Sequence, residues 1–178
     1  MFEIILKTIW FILPAVLANM AASFSSKIPL LNIPIDFNKS FRGKRIFGDH
    51  KTIRGFLFGI IISILIVFIQ KTLYADMRQF SIIDYSQINF ILLGFLFGFG
   101  TLMGDAIESF FKRQINIKPG QPWLPFDQID WILGSLLLAL IYVPIPLIIF
   151  LTSLLVFVPL HFLSNYIGYY IKVKESKL

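Results

Sequence analysis

The chain contains no cysteine, which excludes disulfides and thiolate metal sites. It has only two histidines, His50 and His161. Neither has a partner at metal-ligand spacing, so a histidine zinc signature is excluded and both are read as structural. Charge is scarce too, at 15% of residues, with only 10 acidic groups against 16 basic ones. The remainder is apolar. Hydrophobic residues make up 57% of the 178 positions and the mean hydropathy is +0.79, well outside the range of soluble domains.

A bilayer-crossing helix takes about 20 apolar residues, and five stretches qualify: roughly 4 to 24, 55 to 74, 90 to 111, 130 to 147 and 148 to 170. The expected fold is an all-α integral membrane protein of about five transmembrane helices, forming a single domain over 1–178. The last two stretches form one apolar run, and Pro144 and Pro146, which lack a backbone donor, mark the expected reversal. The first ends in Ala18, Ala21 and Ala22, as a signal peptide can. Glu3 and Lys7 stand where a positive cluster would be, so it is read as a retained helix, kinked by Pro14.

The net charge of +6 matters through its placement and does not call for a nucleic acid. Lys27, Lys39, Arg42, Lys44, Arg45, Lys51 and Arg54 all fall between spans one and two. The second loop has only Lys71 and Arg78, the third has Lys112, Arg113 and Lys118, and the tail has Lys172, Lys174 and Lys177. The positive-inside rule puts loops one and three and the C-terminus in the cytoplasm, with the N-terminus outside. Five crossings agree with that parity.

Against this apolar background, Gly104 to Asp130 concentrates carboxylates. Asp105, Glu108, Ser109 and Lys112 share one helical face, and Asp127 and Asp130 repeat the i, i+3 relation where the next helix begins. A bland account exists for some: Glu108 pairs with Lys112, and Asp127 caps helix four. Asp105 is harder to dismiss, because an unpaired carboxylate in an apolar membrane helix costs a few kcal/mol. Pro119, Gly120, Pro122 and Pro125 restrict the linking loop, and the expectation is that they hold the ends of helices three and four together. Three or four carboxylates together require cations, and oxygen-only ligands favour Mg²⁺ or a similar hard ion. The metal candidates are Asp105, Glu108, Asp127 and Asp130.

Loop one supplies the opposite charge. Gly43, Gly48 and Gly55 permit close backbone approach, Thr52 adds a hydroxyl, and cations flank them, together suggesting an anion cradle. The spacing is not that of a Walker A loop. Arg42, Lys44, Arg45, Lys51, Thr52 and Arg54 are the candidate phosphate ligands. Lys112 and Arg113 are a second cationic pair, and Asn19 faces either the nucleotide or a polar helix interior. An acidic half and a basic half suit a nucleoside triphosphate with its metal. A cation-binding membrane transporter is the rival of another class.

Gly104-Asp105-Ala-Ile-Glu108-Ser109-Phe-Phe-Lys112-Arg113, followed by Asp127-Gln-Ile-Asp130, resembles the C-terminal signature of the CDP-diacylglycerol synthase superfamily. Arg42-Gly-Lys-Arg, Phe47-Gly and Lys51-Thr-Ile-Arg-Gly55 look most like its archaeal branch, the CDP-archaeol synthases. The bacterial branch has Lys-Asp after the Lys-Arg pair and Asp-Arg-x-Asp later; here Lys118-Pro119 and Asp127-Gln128-Ile-Asp130 stand instead. The resemblance implies a Mg²⁺-dependent cytidylyltransferase moving CMP from CTP to an unsaturated archaeal ether lipid phosphate, 2,3-bis-O-geranylgeranyl-sn-glycerol 1-phosphate, at the cytoplasmic face. The partners it implies are CTP, that lipid phosphate and the bilayer, with Asp105, Asp127, Asp130, Lys112 and Arg113 as the catalytic set. A CTP-dependent polyprenol kinase is the nearest enzymatic rival. The CDP-alcohol transferases are disfavoured, because their Asp-Gly-x-x-Ala-Arg motif is missing.

Overall fold

The computed structural model describes residues 1–170, without the side chains of 164, 165 and 167–170. The basic tail carrying Lys172, Lys174 and Lys177 lies outside the described residues. Among the described residues six α-helices follow in order: α1 (Phe2–Phe24), α2 (Ile53–Thr72), a single turn α3 (Tyr74–Met77), α4 (Phe90–Gln114), α5 (Phe126–Ala139) and α6 (Leu147–Tyr170). Among the described residues, three segments are long and apolar enough to cross a membrane: Phe2–Lys27, Ile53–Thr72 and Phe90–Gln114. The expected span over 130 to 147 is replaced by the 14-residue α5 and a turn. Pro144 and Pro146, where the reversal is expected, lie in the connection between α5 and α6.

Local chemistry explains the starts. Thr52 caps α2, its hydroxyl accepting from Gly55 N at 3.2 Å. Asn89 caps α4 by accepting from Ile91 N and Leu92 N. α1 runs through Pro14, which is buried against the rest of the bundle.

α4 is the central helix, packed against α2 on one side and α5 on the other. Its glycines divide between these two neighbours. A Cβ at Gly98 would come 2.8 Å from the Ile60 Cα of α2, and one at Gly94 would fall on the Ile64 Cα. A Cβ at Gly100 would come 2.5 Å from the Gly134 carbonyl oxygen of α5, and one at Gly104 would fall on the Asp130 carbonyl oxygen. Small residues at four-residue spacing let membrane helices touch along their backbones. Here the contact brings Asp105, one residue past Gly104, beside Asp130.

Loop one is folded as well. Strands β1 (Ser40–Phe41) and β2 (Lys44–Arg45) form an antiparallel hairpin, a small departure from an all-helical chain. Arg42 and Gly43 turn it, at φ 52° and 76°, the left-handed pair that a tight hairpin requires. The hairpin docks on the end of α4: Lys44 Nζ donates to the Gln114 carbonyl at 2.5 Å, and the Phe41 and Phe110 rings lie 5.9 Å apart.

Candidate active site

The end of the bundle where α4 stops and α5 begins encloses a cavity of about 670 Å³, within the range of small-molecule sites. Its acidic floor comes from two helices held backbone to backbone. One oxygen each of Asp105, Glu108 and Asp130 lies within 4.8 Å of the others. Such a donor set fits one hard divalent ion: ligands at about 2.0–2.1 Å around an octahedral centre sit a little closer than this, within side-chain adjustment. Zinc, which prefers nitrogen and sulfur, fits less well.

Cations answer these acids. Lys51 Nζ, arriving from loop one just before α2, contacts Asp105 Oδ1 at 2.6 Å. Burial alone would push this ammonium's pKa down; Asp105, with Asp130 and Glu108 behind it, outweighs that and holds it above the ordinary lysine value. Lys112 Nζ sits between Glu108 at 3.3 Å and Asp127 at 3.0 Å. The i, i+4 pairing is therefore present, but Lys112 is shared across two helices. Asp127 does not cap α5 with its side chain; its Oδ2 accepts from Trp123 N at 2.9 Å, which closes the proline-rich loop. Arg113 lines the same cavity, and its buried Nε has no hydrogen-bond partner among the described residues.

The family described as CarS-like CDP-archaeol synthase matches residues 1–178. The chain belongs to the CDP-archaeol synthase family. It is 38% identical to CDP-archaeol synthase of Pyrococcus furiosus, covering 96% of both chains. Identity to the Methanocaldococcus jannaschii enzyme is 35%, over 98% of this chain and 97% of that one. Identity to the Archaeoglobus fulgidus enzyme is 36%, over 98% of both. Among solved structures, an intramembrane enzyme for archaeal membrane lipid biosynthesis aligns at a TM-score of 0.72 and 26% identity, over 90% of this chain and 94% of that one. An integral membrane fold follows from the apolar helices and this neighbour together.

Within this CDP-archaeol synthase fold, the expected site residues separate into groups. Asn19, Lys51, Asp105, Glu108, Asp127 and Asp130 all line the large cavity, as do Lys112 and Arg113. Thr52 and Arg54 line a smaller adjoining cavity instead. Arg42, Lys44 and Arg45 line neither. Arg42 lies over the Phe41 ring, Lys44 is bound to Gln114, and Arg45 pairs with Asp36 at 2.9 Å and Asp49 at 2.8 Å.

Asp36 explains that last commitment. Its carboxylate accepts from Asn38 N, Phe47 N and Gly48 N as well as from Arg45. Burial opposes its charge, yet the Arg45 bond and these backbone donors hold its pKa down at about 2. The loop's turned-in N–H groups thus surround an anion that belongs to the chain itself, and Arg45 is held above its ordinary pKa chiefly by the Asp36 hydrogen bond, against burial. Sequence reasoning passed over Asp36. Its signal was an acid two residues before Asn38 in a loop where cations outnumber acids. The two histidines, read as structural, both line the large cavity, with Trp131 and Ser109. Their distant sequence positions concealed this.

Proposed function

We propose that the chain is a CTP-dependent cytidylyltransferase that transfers CMP to an archaeal ether lipid phosphate, yielding CDP-archaeol and pyrophosphate. The observation that carries this reading is the cavity in which four carboxylates, Asp105, Glu108, Asp127 and Asp130, meet three cations, Lys51, Lys112 and Arg113, at one end of a membrane-embedded bundle. Family membership supplies the choice of cytidine and of the lipid, which the residues alone do not dictate. No side-chain nucleophile is required. A phosphate monoester, with a second pKa near about 6, is largely dianionic at neutral pH and attacks the α-phosphorus itself. One oxygen–phosphorus bond forms, the bond from the α-phosphorus to the pyrophosphate oxygen breaks, and no proton needs to move.

The chain's task is to bring two anions together. Asp105, Glu108 and Asp130 would hold Mg²⁺, with Asp127 positioning Lys112 beside them. Bound there, the ion would supply charge neutralisation for the triphosphate and its leaving group. Lys51, Lys112 and Arg113 offset the remaining charge, and the rigid contact of α4 with α5 keeps the carboxylates in register. Asn19 is a candidate nucleotide contact. A phosphate role for Arg42, Lys44 or Arg45 would require loop one to release its present partners.

The same reading includes a topology. α1, α2, α4, α5 and α6 would make five crossings, with the N-terminus outside and the cavity at the cytoplasmic face, in accord with the basic residues of loops one and three. α5, about 21 Å long at 1.5 Å per residue, would cross only together with the turn that follows it.

The test is incubation of the purified protein with α-labelled CTP, Mg²⁺ and a panel of acceptors: an archaeal ether lipid phosphate, a diacylglycerol phosphate and the matching alcohols. Label is expected in the lipid fraction with the ether lipid phosphate and abolished by chelation. Labelling of no phosphate acceptor would contradict the proposal.

A further inference from the structure

The smaller cavity, about 240 Å³, adjoins the large one, and the Lys51–Asp105 ion pair with Asn19, Ser23 and His50 lines both. Arg54 distinguishes it. This residue is 5% exposed, in the first turn of α2. Its Nη1 donates to the Ile28 carbonyl and its Nη2 to Asn32 Oδ1 at 3.2 Å, both uncharged acceptors. Its Nε has no partner, and among the described residues no carboxylate lies within ion-pair distance of it. A buried guanidinium without a counter-charge is costly unless an anion joins it. The N–H groups of Ile53, Arg54 and Gly55 are already taken by Ile33, Leu31 and Thr52, so what the start of α2 offers the cavity is its positive end and the uncompensated charge of Arg54, whose Nε is buried.

The two cavities differ chiefly in size: about 670 Å³ admits a nucleoside triphosphate, whereas about 240 Å³ admits only a phosphate and its first carbons. The smaller one has an aliphatic and aromatic wall of Ala22, Phe56 and Leu102 facing its polar side. A nucleotide carries polar groups at both ends; a phosphate monoester on an aliphatic chain has one charged end and one apolar end, as this lining does.

We propose that the smaller cavity takes the phosphate monoester of the lipid acceptor, with Arg54 as its counter-charge and the Ala22–Phe56–Leu102 wall against its first carbons, while the triphosphate occupies the large cavity. This rests on the cytidylyltransferase reading and assigns its second substrate. The Lys51–Asp105 pair is then the partition across which the two anions meet.

Three variants of the purified full-length protein test this: Arg54→Gln, Arg54→Lys and Ser26→Glu. Ser26 lines the cavity at an exposed position, so its carboxylate repels an anion while leaving the Arg54 contacts intact, even if Arg54→Gln fails to fold. Arg54→Gln and Ser26→Glu are each expected to raise KM for the lipid phosphate by about 10- to 100-fold, the cost of one charge-assisted contact. KM for CTP should stay within about twofold, and Arg54→Lys should recover part of the loss. Without CTP or Mg²⁺, the wild type should bind the lipid phosphate in detergent micelles in preference to its alcohol, to inorganic phosphate and to pyrophosphate. A rise in KM for CTP alone would assign the cavity to the triphosphate and overturn the proposal. Binding of inorganic phosphate or pyrophosphate as tight as that of the lipid phosphate would overturn it in favour of a free-anion site. Selective lipid-phosphate binding that is lost in Ser26→Glu, in a protein that transfers no CMP, would support the cavity and sink the cytidylyltransferase reading instead.

Discussion

Replacing Gly104 by alanine adds one methyl group where α4 and α5 touch. That Cβ would fall on the Asp130 carbonyl oxygen, with the Asp130 carbonyl carbon at 2.9 Å and the Gly134 Cα at 3.3 Å. All three are backbone atoms, so no side chain can swing aside, and the helices must part by on the order of 1 Å to regain ordinary contact. Overpacking of this kind costs about 1–3 kcal/mol of stability. The larger effect is on chemistry. Parting the helices moves Asp130 away from Asp105 and Glu108, whose oxygens now lie within 4.8 Å of one another and of Asp130. A misplacement of about 1 Å in an aligned site costs about 10²-fold in rate. Gly98→Ala is the matched control, because its Cβ meets Ile60 of α2 at 2.8 Å, on the other side of α4. CMP transfer and thermal unfolding should be measured for both in the same detergent. Gly104→Ala should lose about 10²-fold in kcat, and Gly98→Ala should lose comparable stability but only a few-fold in kcat. A Gly104→Ala enzyme within about threefold of wild type would refute the link between this helix contact and the site.

Asp130→Asn should fold and bind in the membrane yet lose about 10²- to 10³-fold in Mg²⁺-dependent turnover, and a near wild-type rate would remove Asp130 from the metal-holding set. Lys51→Ala should weaken CTP binding by about 10- to 100-fold, more than it weakens lipid binding, because it removes the cation beside Asp105; equal CTP affinity by equilibrium dialysis would contradict this. Asp36→Asn tests the folded state of loop one. The depressed pKa of Asp36 means that its stabilisation is fully present above the unfolded value of about 3.9 and is lost as pH falls toward about 2. The variant should therefore be less stable than wild type by on the order of 2 kcal/mol at pH 7, with the gap closing below pH 3, as followed by denaturant unfolding or by proteolysis within the loop. A gap that stays constant from pH 7 down to about pH 2 would show that the carboxylate is not what organises the loop.

Membrane class and the acidic half of the site were legible in the sequence because both rest on local pattern. Long apolar runs have a definite length, and Asp105, Glu108 and Lys112 share a helix face at any crossing angle. The convergence of Asp105 with Asp130 was expected from the prolines of the linking loop, but nothing local shows that Gly94 and Gly98 serve α2 while Gly100 and Gly104 serve α5, the contact that brings the two acids together. Loop one was harder to read. Its cations are alike in sequence, and only the fold separates Lys51, which reaches the acids, from Arg45, which is spent on Asp36 and Asp49. Arg54 looked like one more phosphate ligand, and nothing local shows that it lies in a separate cavity with no acid beside it. The shortness of α5 was concealed because α5 and α6 form one unbroken apolar run, in which composition locates the prolines but not the helix ends.

The central claim is that the acidic and basic halves act on one triphosphate and release its outer two phosphates. Parallel reactions with CTP labelled at the α- or the γ-phosphorus, in the presence of Mg²⁺ and the ether lipid phosphate, measure this directly. The account predicts α-label in the lipid and γ-label in pyrophosphate in equal amounts, both dependent on the acceptor. γ-Label in the lipid with release of CDP would contradict it.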